Sequence, residues 1–191
     1  MLANQATAFG LPIKRYIEKT APAINTSTQI VRFVLKSIAQ SYLFAPPYLR
    51  AMLYTPEIRF SDIDSYGIVH NAKFLIFFEQ SRIALFNKIS GEWDWKTSGV
   101  LVANQEINYM VPVTLKDNLE ILVWVEKVGT KSMTYSYEAY KTIGGKKVLA
   151  ATSKTVLVSF DVASGKSIEV PELWRNTINE NGLLGRPEYL V

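Results

Sequence analysis

The sequence predicts an α+β fold, an antiparallel sheet curled around one long central helix, with a helical extension in front of it. Three observations carry this reading. The stretch "NAKFLIFFEQSRIALFNKIS", residues 71–90, is about five helical turns long and apolar over most of its circumference, so it calls for a sheet around it. Four strand-like runs follow, with turn residues between them. Before residue 53 the apolar period is helical, and after it alternation sets in.

Residues 1–50 read as a basic helical arm. Lys14, Arg15, Lys19, Arg32, Lys36 and Arg50 stand there against Glu18 alone, whereas 51–191 hold 15 basic and 16 acidic residues. The net charge of +4 therefore resides in the arm, and the near-neutral main domain offers no footing for nucleic acid. "IVRFVLKSIAQSYLF" places Ile30, Val34, Ile38 and Tyr42 on one side, with Arg32 and Lys36 off it. "APPYLR" then ends any helix, because proline lacks a donor and restricts the residue before it. No apolar run approaches the roughly 20 residues of a membrane span. Three roles fit the arm: a helical extension lying on the domain or a partner, an acid-poor organellar targeting segment, or a helix in peripheral contact with a membrane surface. The second would place the domain in an organellar matrix, and otherwise the compartment, cytoplasmic or not, stays open.

The main domain is expected over residues 51–180, followed by a tail over 181–191. "YTPEIRFSD" alternates as a first strand; Asn71 is a candidate N-cap for the long helix and Gly91 its stop. Phe74, Leu75, Phe77, Phe78, Leu85, Phe86 and Ile89 supply the apolar surface of that helix. The strands are "VLVANQEINYM", "NLEILVWVEKV", "SMTYSYEAYKT" and "KVLAATSKTVLVSFD", separated by "TLKDN", "VGTK" and "TIGGK". A short helix, "ELWRNTINE", closes the domain.

Composition removes several chemistries. With 48% apolar and 20% charged residues in 191, the chain suits one globular domain plus an appendage. The absence of cysteine excludes disulfide scaffolds, thiolate zinc sites and cysteine nucleophiles. A single histidine excludes multi-histidine metal sites, so no metal and no cofactor are expected.

What remains is concentrated in "DIDSYGIVH", the loop between the first strand and the start of the long helix. A helix N-terminus offers unpaired N–H groups and the positive end of a dipole, which can polarise a carbonyl. A carboxylate just upstream can face the same point as nucleophile or as a base on water. This suffices for acyl transfer with a good leaving group, and a thiol of pKa about 8.5 is one. Serine–histidine machinery is not needed, and no G-x-S-x-G occurs.

"FSDIDSYGIVHNAKF" followed by "FFEQSR" resembles the hot-dog-fold acyl-CoA thioesterases of the 4-hydroxybenzoyl-CoA thioesterase type. The likeness continues through "INYMVPVTLKDNLEILVWVEKVGTKSMTYSYEAY" and "VSFDVASGKSIEVP", covering about residues 54–175. The resemblance implies a sheet around the central helix, a homodimer or homotetramer with sites at the subunit interface, and an acyl-CoA or acyl carrier protein substrate, CoA entering only as part of that substrate. It makes Asp64 the catalytic carboxylate and Asn71 the residue whose backbone N–H polarises the thioester, with Gly67 allowing close approach of the loop. His70 adjoins these as a further catalytic candidate, at a position where relatives often carry an aromatic residue or Asn. Ile68 stands where several acyl-carrier thioesterases have His. Asp62, Tyr66, Glu79, Lys131 and Ser132 are the candidate substrate contacts; Asp62 also fits a positioning role, and Glu79 with Arg82 an intrahelical pair. Two other functions stay open: a non-catalytic acyl-thioester binding or assembly module, and an enoyl-thioester hydratase or dehydratase. The second is disfavoured because Asp64 and His70 are six apart with no proline between them.

Overall fold

The computed structural model describes residues 51–187. The elements are β1 (Met52–Tyr54), a 3-10 turn (Phe60–Asp62), α1 (Asn71–Ser90), β2 (Ser98–Tyr109), β3 (Leu119–Val128), β4 (Ser132–Ile143), β5 (Lys146–Asp161) and α2 (Glu172–Glu180). The expectations for the arm, residues 1–50, and for residues 188–191 of the tail lie outside the described residues.

Both helices and the four long strands stand where alternation and capping chemistry put them. The first strand is not where the alternation predicts it: of residues 54–62 only Tyr54 lies in β1, 55–59 form no strand, and Phe60–Asp62 make the 3-10 turn. Pro56 supplies no ladder donor, and the chain leaves the sheet before it. The sheet is antiparallel with order β1-β3-β4-β5-β2. Gly144 and Gly145, both at positive φ, make the two-residue turn joining β4 to β5, a backbone other residues resist. Bulges at Val102/Asn104, Val125/Lys127 and Ala139/Tyr140 bend the strands locally.

One face of the sheet packs on α1. Phe74, Phe77, Phe78, Leu85, Phe86 and Ile89 join Ile121, Val123, Val125, Met133, Tyr135, Tyr137 and Leu157 in one buried cluster. Phe78 is fully buried, its ring 5.1 Å from that of Tyr137. Within one chain the sheet covers one side of the helix, and Leu75, Ile76 and Ile83 remain exposed. α2 closes the other end, Trp174 meeting Phe86 and Trp93 edge-on at 4.8 Å each.

The segment read from sequence as the start of a tail belongs to the sheet. Leu184 bridges Val125 in parallel fashion, the Val125 N–H donating to Leu183 O at 3.3 Å and the Gly185 N–H to Val125 O at 2.8 Å. It thereby continues the edge that β1 leaves uncovered beyond Val123. The sheet's other edge is β2, which pairs with β5 and with no other strand among the described residues.

A partly buried ion pair ties the β2–β3 connection to β4. Lys141 Nζ donates to Asp117 Oδ2 at 2.9 Å and to Pro112 O at 2.7 Å, while Asp117 also accepts from the Thr114 N–H and hydroxyl. Burial pushes the Asp117 carboxyl up, but the Thr114 donors and the Lys141 ammonium outweigh it and hold it below the usual range.

This packing generates two stability predictions. Phe78→Ala should cost about 3–5 kcal/mol in urea unfolding through the cavity it leaves. Because the folded-state pKa of Asp117 is depressed, its stabilisation is complete above the unfolded value near 3.8 and is lost as pH falls through the folded one. Asp117→Asn should therefore lower stability at pH 7 by about 3 kcal/mol and flatten the acid limb of a stability–pH curve below pH 4; an unchanged acid limb would refute this account.

Candidate active site

The loop before α1 is a miniature hairpin. Ile63 bridges Val69, the Asp64 N–H donates to Ile68 O at 2.8 Å, and the Gly67 N–H returns to Asp64 O at 3.0 Å. Gly67 sits at φ 77, which this tight turn requires and which side chains disfavour. Asp64 Oδ1 accepts from the Tyr66 N–H at 2.8 Å and the Ile68 N–H at 3.4 Å. These bonds orient the carboxylate and leave Oδ2 without a partner among the described residues.

Two further ties hold the hairpin to the fold. The Val69 N–H donates to Val113 O at 2.7 Å, and Ile68 bridges Thr114. On the other side of the loop, buried Asp62 accepts from the Arg59 N–H at 2.9 Å and pairs with Lys73 Nζ at 2.9 Å, while its carbonyl accepts from the His70 N–H. Burial pushes the Asp62 carboxyl up; the Arg59 amide and Lys73 together outweigh it and hold it below the ordinary value.

The cap of α1 lies one residue earlier than expected. His70, not Asn71, is the N-cap, its Nδ1 accepting from the Ala72 N–H at 3.1 Å. That bond places the imidazole proton on Nε2 and commits Nδ1 to the helix. The His70 carbonyl accepts from the Lys73 N–H at 2.8 Å. The Asn71 N–H donates to no described residue, as the first turn of a helix leaves it free to do.

Asp64, Ile68, Val69, His70, Asn71 and Phe74 form one wall of a cleft of about 350 Å³, and Tyr109 to Val113 form the other. The structure thus brings Asp64, His70 and Asn71 to one space at the positive end of α1. The other candidates lie elsewhere. Tyr66 projects into solvent, its amide serving Asp64, and Asp62 faces a separate polar pocket with Lys73 and Arg59. Glu79 is more than two turns along α1, 3.5 Å from Arg82, whose Nη1 donates to the Tyr137 hydroxyl at 3.4 Å; both line a second cavity of about 240 Å³. Lys131 donates to Ser167 O, and Ser132 begins β4, nine residues from Lys141 and so about 30 Å away along the strand. In a single chain neither approaches the cleft.

Sequence reasoning missed the wall built by "YMVPV". Tyr109 ends β2, its ring 5.4 Å from Phe74 and edge-on to it, its hydroxyl donating to Asn71 O at 3.0 Å. Burial pushes its phenol up, so it stays a neutral donor through the physiological range. The signal available was an apolar run that breaks strand alternation at Pro112, next to a tyrosine. Among the described residues no group of three or more His, Cys, Asp or Glu side chains is arranged to hold a metal ion.

Comparison with known proteins agrees with this fold. YsmA of Bacillus subtilis strain 168 is 29% identical over 122 residues, 64% of this chain and 81% of YsmA. A thioesterase of Thermus thermophilus, solved with coenzyme A and Zn, is 31% identical with a TM-score of 0.57, over 66% of this chain and 95% of that one. The DHNA-CoA thioesterase of Staphylococcus aureus shares the fold at 20% identity, TM-score 0.61, over 68% of this chain and 89% of its own. The model of the thioesterase-like superfamily matches residues 58–178, most of the folded domain, and the chain belongs to that superfamily and has its hot-dog fold.

Proposed function

We propose that this chain hydrolyses acyl-CoA thioesters, with the Asp64 carboxylate attacking the thioester carbon, or activating water to do so, while the Asn71 N–H holds the carbonyl oxygen. The observation that carries the reading is that Asp64 and the unpaired Asn71 amide line one cleft. As the carbonyl carbon becomes tetrahedral, charge grows on its oxygen, where an oriented main-chain N–H at a helix start is most effective. The thiol departs as thiolate with little proton assistance. Asp64 suits its part because Oδ1 is anchored by two amides and Oδ2 is free. His70 is assigned to capping α1 rather than to proton transfer, since its Nδ1 is occupied.

The carrier is assigned to CoA on the strength of the relative of Thermus thermophilus solved with coenzyme A. The active assembly is a homo-oligomer in which a second copy meets the free β2 edge, where Leu101 and Val102 are exposed. Lys131 and Ser132, remote from the cleft of their own chain, then serve the carrier phosphates of a neighbouring one.

The test is release of free thiol from short, long and aromatic acyl-CoAs, followed with a thiol-reactive dye. Asp64→Asn should lower kcat by at least about 100-fold, with the fold and acyl-CoA affinity retained. Wild-type rates in that variant would remove Asp64 from the chemistry, and acyl-CoA binding without any turnover by the native chain would favour a binding module.

A further inference from the structure

We propose that Tyr109 is a positioning residue of this site: by holding the Asn71 carbonyl, its hydroxyl aims the adjoining Asn71 N–H at the thioester oxygen. This rests on the acyl-transfer reading above and adds a residue that the loop motif does not contain.

The hydrogen bonds around Asn71 carry the argument. The Asn71 N–H belongs to the 70–71 peptide unit, and the carbonyl of that unit accepts from the Lys73 N–H at 2.8 Å. The next unit is held at both ends, its carbonyl by the Tyr109 hydroxyl at 3.0 Å and its Ala72 N–H by His70 Nδ1 at 3.1 Å. Since each peptide unit is planar, fixing the two units that flank the Asn71 Cα fixes the direction of its free N–H. His70 and Lys73 are local to the helix. Tyr109 is 38 residues away and comes from the facing wall.

That position makes the tyrosine a spacer as well as a donor. The main-chain ties between the walls, Val69 to Val113 and Ile68 to Thr114, are on the loop side. Tyr109 crosses at the Asn71 carbonyl, one peptide unit from the free N–H. Its ring is braced on buried Phe74, and beyond it the Met110 and Val111 N–H groups both donate to Ala150 O, anchoring the end of β2. A hydroxyl held between that ring and the Asn71 carbonyl sets the distance between the two walls, and small misplacement of an oxyanion donor is costly.

Tyr109→Phe keeps the ring and its contact with Phe74 and deletes only the hydrogen bond. In the oligomer as isolated, kcat should fall about tenfold with KM nearly unchanged, by the same factor for short and long acyl-CoAs, and with the circular dichroism of the native protein. An interaction realised mainly in the transition state gives this split, whereas a mere pocket wall would raise KM by an amount that varies with the acyl group. Native kcat in Tyr109→Phe, or a loss confined to KM, overturns the proposal. Asp64→Asn assayed alongside separates the two claims: an inactive Asp64→Asn with a fully active Tyr109→Phe removes the role of Tyr109 alone. A native chain that turns over no thioester removes both.

Discussion

A helix packed against a sheet along its length still begins with main-chain N–H groups that have no partner in the helix. The structure turns on how those amides are treated. At α1 some are satisfied: His70 caps Ala72, and Lys73 bonds back to His70 O. One, at Asn71, is left facing a cleft. The apolar packing of Phe74, Phe77 and Phe78 holds the helix in place, so the free amide has a defined direction and does not fray into solvent. The loop hairpin, the Asp62–Lys73 pair and the β2 terminus all converge on that turn.

The two aspartates of the loop show how position separates like residues. Asp62 is buried and spends both carboxylate oxygens on Arg59 and Lys73. Asp64, two residues later, has one oxygen fixed by its own turn and one unengaged at the cleft. The first keeps the loop attached to the helix and the second is available for chemistry. A motif of two acids separated by one residue reads as a repeated feature; three-dimensionally one is a foundation and the other an unengaged carboxylate at the cleft.

Much of this was legible in the residues. The apolar stripe of 71–90, the alternation of four strands and the Gly-Gly turn report local preferences strong enough to survive folding, and the loop "DIDSYGIVH" pointed to the helix start where the cleft lies. What escaped depends on partners distant in sequence. A histidine and an asparagine both make acceptable caps, and the choice of His70 follows from how its N–H meets Asp62 O. The early end of β1, at Tyr54 opposite Ile121, follows from Pro56, and the docking of 183–185 at Val125, beyond Met52, depends on a partner about sixty residues away. Tyr109 could not be singled out, because its partner is a main-chain carbonyl 38 residues upstream and a tyrosine on a strand is ordinarily a packing residue.

The shared edge of β3 also bears on the order in which the fold is completed. Its outer hydrogen bonds are divided between a strand from the start of the domain and a segment from after its last helix. On a chain emerging from the ribosome, β1 can engage β3 early, but the Val125 N–H and carbonyl stay open until the stretch beyond α2 has been synthesised. The hot-dog sheet is therefore sealed from both ends of the domain, and its latch at Val125 can close only after all five strands and α2 have been made.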